Sequence, residues 1–187
     1  NCSLYLEGAY TGDVSASMLH DIGCHFCIVG HSERRTKFSE TDDQVAIKAS
    51  NSIKSNIYPI VCVGETLEQK KNNQTKEVLS KQIEKSIPKN SNNKNTIIAY
   101  EPIWAIGKNN KAANIKYCNE SIQFIKEYSL KKIKTRSKKI SVLYGGSVDE
   151  KNCSDFIKSK FIDGIFIGRA ALKVNNFIKI CKKSLRT

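Results

Sequence analysis

The 187-residue chain carries 31 Lys plus Arg against 18 Asp plus Glu, a formal net charge of +13, and 40% hydrophobic residues. That length predicts a single domain over residues 1–187, and the apolar content is too high and too regular for a disordered chain. No apolar run approaches the roughly 20 residues of a spanning helix and no signal-peptide pattern opens the chain, so no membrane partner is expected.

In chain order, a short helix over Ser15–Asp21 stops at Gly23 and a strand follows over Cys24–Gly30. Strands are then predicted over Tyr58–Val63, Thr96–Glu101, Ile140–Tyr144 and Asp163–Ile167. Their apolar residues are consecutive rather than alternate, which predicts strands buried on both faces. Helices are predicted between them over Asp42–Ser55, Leu67–Ser86, Asn114–Ile133 and Asp149–Lys158, with a last one over Ala171–Lys182. The βα unit repeats five times, so the fold class is α/β with a mostly parallel sheet and helical crossovers. Periodicity leaves a doubly wound sheet and a βα-barrel open. The polar stretch 88–95 reads as a solvated loop.

Most of the positive excess is Lys scattered among Asn and Ile, as in Lys131-Lys132-Ile133-Lys134. It reads as a solvated surface that also attracts an anionic small substrate, and no motif points to a nucleic-acid partner. Seven Cys without paired spacings fit a reduced compartment. Cys24 and Cys27, three apart on a strand, point to opposite faces and serve packing, not a metal or redox pair. No metal or other cofactor is expected.

The chemistry-bearing residues follow the strands, where both candidate architectures build their sites. Gly30-His31-Ser32-Glu33-Arg34-Arg35 follows the first strand and Glu101-Pro102-Ile103-Trp104-Ala105-Ile106-Gly107 closes the third. Tyr144-Gly145-Gly146-Ser147 and Gly168-Arg169-Ala170-Ala171-Leu172 follow the fourth and fifth. A partly desolvated carboxylate at Glu101 has the raised pKa of a general base. The helical turn after His31 disfavours imidazolium and leaves a neutral ring able to donate to a carbonyl. Gly145, Gly146 and Gly168 uncover backbone N–H groups suited to phosphate.

Three of these strings, Val29 to Arg35, Ala99 to Gly107 and Tyr144 to Val148, closely resemble the triosephosphate isomerase family. So do Pro59-Ile60-Val61-Cys62-Val63-Gly64-Glu65 and Gly8-Ala9-Tyr10-Thr11-Gly12, and the resemblance runs from end to end. It implies a TIM-barrel fold and interconversion of dihydroxyacetone phosphate and glyceraldehyde 3-phosphate through an enediolate. Glu101 matches the family's base and His31 its neutral electrophile. Gly107 matches the lid loop whose N–H meets the phosphate, and Ser147, Gly168 and Arg169 match the phosphate loops. Tyr144 and Ala112 match the latch of the closed lid, Ser32 the residue holding the base in the open state, and Glu33 the carboxylate beside the active-site Lys. Thr11 matches the loop that reaches into a neighbouring subunit, so a homodimer is implied for the full-length form, in the cytoplasm.

The sequence departs from the family at three places. The lid reads Gly107-Lys108-Asn109-Asn110-Lys111-Ala112, with Asn109 where Gly is usual and Asn110 where Lys is usual. The phosphate turn has Arg169 where a second Gly is usual. The Asn-x-Lys motif that supplies the family's Lys has no match, and the chain opens on Asn1 rather than Met. The expectation is therefore that only the last five βα units, strands four to eight, are present, as an open curved sheet of weak or no activity. A genuinely truncated, catalytically dead barrel remnant is the alternative.

Overall fold

The structure, a computed structural model, describes residues 1–107, 110–133 and 139–185. Its elements run α1 (Ala16–Asp21), β1 (Phe26–Val29), α2 (Ser32–Lys37), α3 (Asp42–Lys54), β2 (Tyr58–Val63), α4 (Leu67–Lys71), α5 (Thr75–Ser86) and β3 (Ile97–Tyr100). They continue with a 3₁₀ turn over Ile103–Ala105, α6 (Ile115–Ile133), β4 (Ser141–Tyr144), α7 (Cys153–Ile157), β5 (Gly164–Ile165), a 3₁₀ turn over Arg169–Leu172 and α8 (Val174–Ser184).

Local chemistry sets the boundaries. Ser15 caps α1 through the Met18 N–H, and the chain turns away at Gly23, whose φ is 85°. Thr41 with Gln44, and Thr66 with Gln69, form reciprocal capping boxes at α3 and α4. The single helix expected over Leu67–Ser86 is two helices. Asn73 adopts a left-handed conformation (φ 57°) between them, and α5 starts afresh at Thr75.

The described residues form one all-parallel sheet in the order β1-β2-β3-β4-β5. Register runs Val29, Val61, Ile98 and Val142 across one row, and Val63, Tyr100, Tyr144 and Ile165 across the next. Strand order follows chain order without a switch point, which selects the barrel-type winding over the doubly wound one.

One face of the sheet is sealed. Cys27, Val29 and Val61 pack with Val45 and Ala49 of α3, while Val63, Ile98, Tyr100, Val142 and Tyr144 pack with Leu79, Ile83, Ile122, Ile125 and Phe156. Burying each such large side chain is worth about 1.5–3 kcal/mol. The opposite face is not sealed: Phe26 and Tyr58 are 56% and 42% exposed, and Ile28, Ile60, Ile97 and Leu143 are half-buried. The expectation of strands buried on both faces is thus corrected at their amino-terminal halves. Consecutive apolar residues there report a face that the described helices do not reach.

The cysteines also differ from expectation in detail. Cys24 precedes β1 and is half-buried, whereas Cys27 is buried in the same cluster as Cys2, and all seven thiols are free. No helix among the described residues is long and apolar enough to cross a membrane.

Candidate active site

Glu101 extends β3 by one residue. Its N–H donates to the Val63 carbonyl at 2.8 Å, and the residue is 2% exposed. The parity of the strand puts Glu101 on the same face as Ala99, opposite the helix-packed Ile98 and Tyr100. The carboxylate is met from the exit of β1: Oε1 lies 3.1 Å from His31 Nε2, and Oε2 accepts the Ser32 N–H at 3.2 Å. Glu101 therefore touches His31 and Ser32, two expected residues far from it in the chain.

Space around the carboxylate is reserved by glycine. A Cβ on Gly145 would stand 3.0 Å from Glu101 Cγ and 3.1 Å from Phe166, so any side chain there would press on the base. On the other side Cys62 is fully buried. Burial pushes its thiol well up, and the nearby Glu101 charge adds to this, so the thiol stays protonated.

His31 is the N-cap of α2, and its Nδ1 accepts the Glu33 N–H at 3.2 Å. That bond leaves the proton of the neutral ring on Nε2, aimed at Glu101. The hydrogen bond to Glu101 holds His31 above the ordinary imidazole value, against burial, which pulls it down. The carboxylate thus acts against the helical turn, which by itself favours the neutral ring. The folded-state value is raised, so the pair's contribution to stability is fully present below the ordinary value of 6.5 and fades as pH rises through the folded value. In an NMR titration the His31 ring is expected to titrate above 6.5, and Glu101→Gln to lower its midpoint. A His31 midpoint indifferent to that substitution would refute the pairing.

Arg35, to which the sequence reading gave no role, ties the site's supports together. Its Nε donates to the Gly30 carbonyl at 2.7 Å, its Nη2 to the Cys62 carbonyl at 3.1 Å and to Ser86 at 3.2 Å, and its Nη1 pairs with Asp42. The exits of β1 and β2 and the ends of α3 and α5 thus meet on one planar guanidinium. Its neighbour in the string, Glu33, is exposed.

The glycine turns occupy the same ends of the strands. Ser147 donates its N–H to the Ala105 carbonyl at 2.9 Å, joining the turn after β4 to the 3₁₀ turn after β3. Gly107 has φ 131°, a conformation that favours glycine, and Asn110 bonds back to the Ile106 carbonyl. Lys108 and Asn109 lie outside the described residues. Gly168 faces open space, with nothing within 4 Å of a built Cβ, and Arg169 beside it is exposed. The Tyr144 hydroxyl accepts the N–H of Ala113 at 3.0 Å, one residue beyond the expected Ala112. Burial pushes that hydroxyl well above its ordinary value, so it remains a neutral phenol. Thr11 is exposed in the turn closed by the Asp13 N–H on the Tyr10 carbonyl, beside a Tyr5–Tyr10 ring stack. Among the described residues no group of three His, Cys, Asp or Glu side chains is placed to hold a metal ion.

A buried carboxylate in contact with an imidazole, and glycine turns at the carboxyl ends of parallel strands wound in chain order, belong to the βα-barrel enzymes. Comparison with known proteins narrows the class. The family model described as triosephosphate isomerase matches residues 1–184. The chain is similar to the triosephosphate isomerase of Mycoplasma mobile, with 45% identity over 176 residues covering 94% of this chain and 69% of that one. It is 42% identical to that of Ruthia magnifica, over 97% of this chain and 74% of the relative. The crystal structure of triosephosphate isomerase from Bartonella henselae superposes with a TM-score of 0.91 at 38% identity, covering all of this chain and 76% of that one. The chain belongs to the triosephosphate isomerase family.

Proposed function

We propose that the site interconverts dihydroxyacetone phosphate and glyceraldehyde 3-phosphate through an enediolate, with Glu101 as the base and His31 as the electrophile. The observation that carries this reading is the direct contact of Glu101 with His31 Nε2 and the Ser32 N–H in a site that buries the carboxylate. Glu101 takes a proton from the carbon beside the substrate carbonyl and returns it to the neighbouring carbon. His31, with Nδ1 tied to the Glu33 N–H, offers its Nε2 proton to the carbonyl oxygen, where negative charge develops. Before that, Glu101 must leave His31, so the contact seen is the resting arrangement, with Ser32 holding the base.

The N–H groups of Gly107, Gly168 and Arg169 would hold the substrate phosphate, joined by that of Ser147 once it leaves the Ala105 carbonyl, and the open space at Gly168 supports this assignment. Tyr144 latches the segment after the lid. Within this reading the five strands correspond to the family's strands four to eight, Glu33 would support the absent Lys, and the exposed Thr11 turn would meet a second subunit in a cytoplasmic homodimer.

No Lys of this sequence matches the family's Asn-x-Lys, and loss of one preorganised donor of that kind costs roughly 10²–10³-fold in turnover. In a coupled assay the chain alone is expected to be slower than a longer relative by at least about that factor. Turnover near the relative's own would overturn the expectation. In heavy water part of the product formed is expected to carry carbon-bound deuterium, because the proton held on Glu101 exchanges with solvent before it is returned.

A further inference from the structure

A second buried carboxylate stands behind the site. Glu65, just past β2, is fully buried, and three side chains donate to it: Trp104 Nε1 at 2.7 Å and the Tyr117 hydroxyl at 2.8 Å, both on Oε1, and the Tyr100 hydroxyl within 3.2 Å of both oxygens. Its main-chain carbonyl accepts the Ile103 N–H at 3.0 Å. Tyr100 precedes Glu101, and Ile103 and Trp104 lie in the 3₁₀ turn between Glu101 and Gly107. Tyr117 comes from the other direction, on the first turn of α6.

The geometry of Tyr117 is over-determined. Its hydroxyl also lies 2.9 Å from Thr75 Oγ1, and since Tyr117 gives its own proton to Glu65, Thr75 is the donor there. Burial lifts the phenol to about 12, so it keeps that proton. The Lys70 ammonium sits 3.4 Å from the Trp104 ring centroid and 4.4 Å from that of Tyr117, and the two rings meet edge-on at 5.7 Å. A carboxylate held this way is a junction between α6 and the turn that separates the base from the phosphate contact.

We propose that Tyr117 is a positioning residue: through Glu65 it locks the 3₁₀ turn carrying Trp104, and so fixes Glu101 and Gly107 relative to each other. The proposal rests on the roles assigned above to Glu101 and Gly107, but its test does not use turnover, so the two fail separately. Trp104 is the chain's one tryptophan, and its single indole N–H signal reports directly on the junction.

In Tyr117→Phe, hydrogen exchange at that indole and at the Ile106 amide, which closes the 3₁₀ turn on the Ile103 carbonyl, is expected to be about tenfold faster, as for loss of one hydrogen bond to a charged group, with the β1 amides at the parent rate. Thr75→Val keeps the Tyr117–Glu65 bond and is expected to leave the indole rate unchanged. An unchanged indole rate in Tyr117→Phe would overturn the proposal. So would a uniform rise across β1, which marks a merely structural loss, or an equal effect of Thr75→Val. If Tyr117→Phe does not fold, the unmodified chain decides: the Trp104 indole and the Ile106 amide must respond together to added urea. Independent responses would sink the idea.

Discussion

Glu101→Gln is expected to lower triose phosphate turnover by about 10²–10⁴-fold relative to the unmodified chain, the usual worth of a positioned general base. The substitution keeps the shape of the side chain, and the amide oxygen can still accept the Ser32 N–H that now meets Oε2. What is lost is the capacity to take a proton, together with the His31 contact, since the amide nitrogen then faces Nε2. The folded site should therefore survive, and the drop should fall on the chemical step, with KM changing little. The effect is best measured as a ratio of rates for the same chain with and without the substitution, because the parent is itself expected to be slow. Near-normal turnover in Glu101→Gln would remove Glu101 from the role of base.

Gly64→Ala is the second large effect, and it acts on the fold beneath the site. A Cβ at Gly64 would lie 1.8 Å from the Glu101 carbonyl oxygen and 2.5 Å from its carbon. Both are backbone atoms, so no rotamer change relieves the clash. Either β2 and β3 part at their carboxyl ends, or Gly64 breaks away from Gln82, whose amide bonds its N–H and carbonyl at 2.8 and 3.1 Å. Overpacking a core costs about 1–3 kcal/mol, and a rigid backbone contact belongs at or above the top of that range. The expected result is a loss of at least about 3 kcal/mol in urea unfolding, or failure to fold. The unmodified chain, unfolded in the same titration, is the control. A Gly64→Ala chain as stable as that control would refute the close approach.

The sequence made some of this legible and hid the rest for physical reasons. β2 falls over Tyr58–Val63 as its apolar run predicts, and α3 begins at Asp42 behind its Thr41 cap. The break between α4 and α5 was marked in the sequence by Asn72-Asn73, a pair whose second residue tolerates positive φ, but helical periodicity on both sides concealed it. His31, Ser32 and Glu101 stood out by type and position at strand ends, yet their mutual contact joins residues 69 or more apart and needed the sheet register. The same contact opposes the preference expected for His31, since a local helix argument sees the Glu33 N–H and not the carboxylate across the strand. Arg35, Glu65 and Tyr117 carry no periodic signal. They act as junctions between elements, and only three-dimensional placement reveals a junction. Glu65 could have been found as an acid directly after a buried apolar strand, a position that requires donors.

The order β1-β2-β3-β4-β5 also bears on how the chain reaches its structure. Every strand pairs with its immediate successor, so each new βα unit finds its docking edge already formed by the unit before it. Loop-closure entropy is then met one short span at a time, and no strand must wait for a distant partner. Among the described residues assembly can proceed from β1 onward, with the last-formed strand always the growing edge. A sheet wound this way is a zipper in which history and geometry run in the same direction.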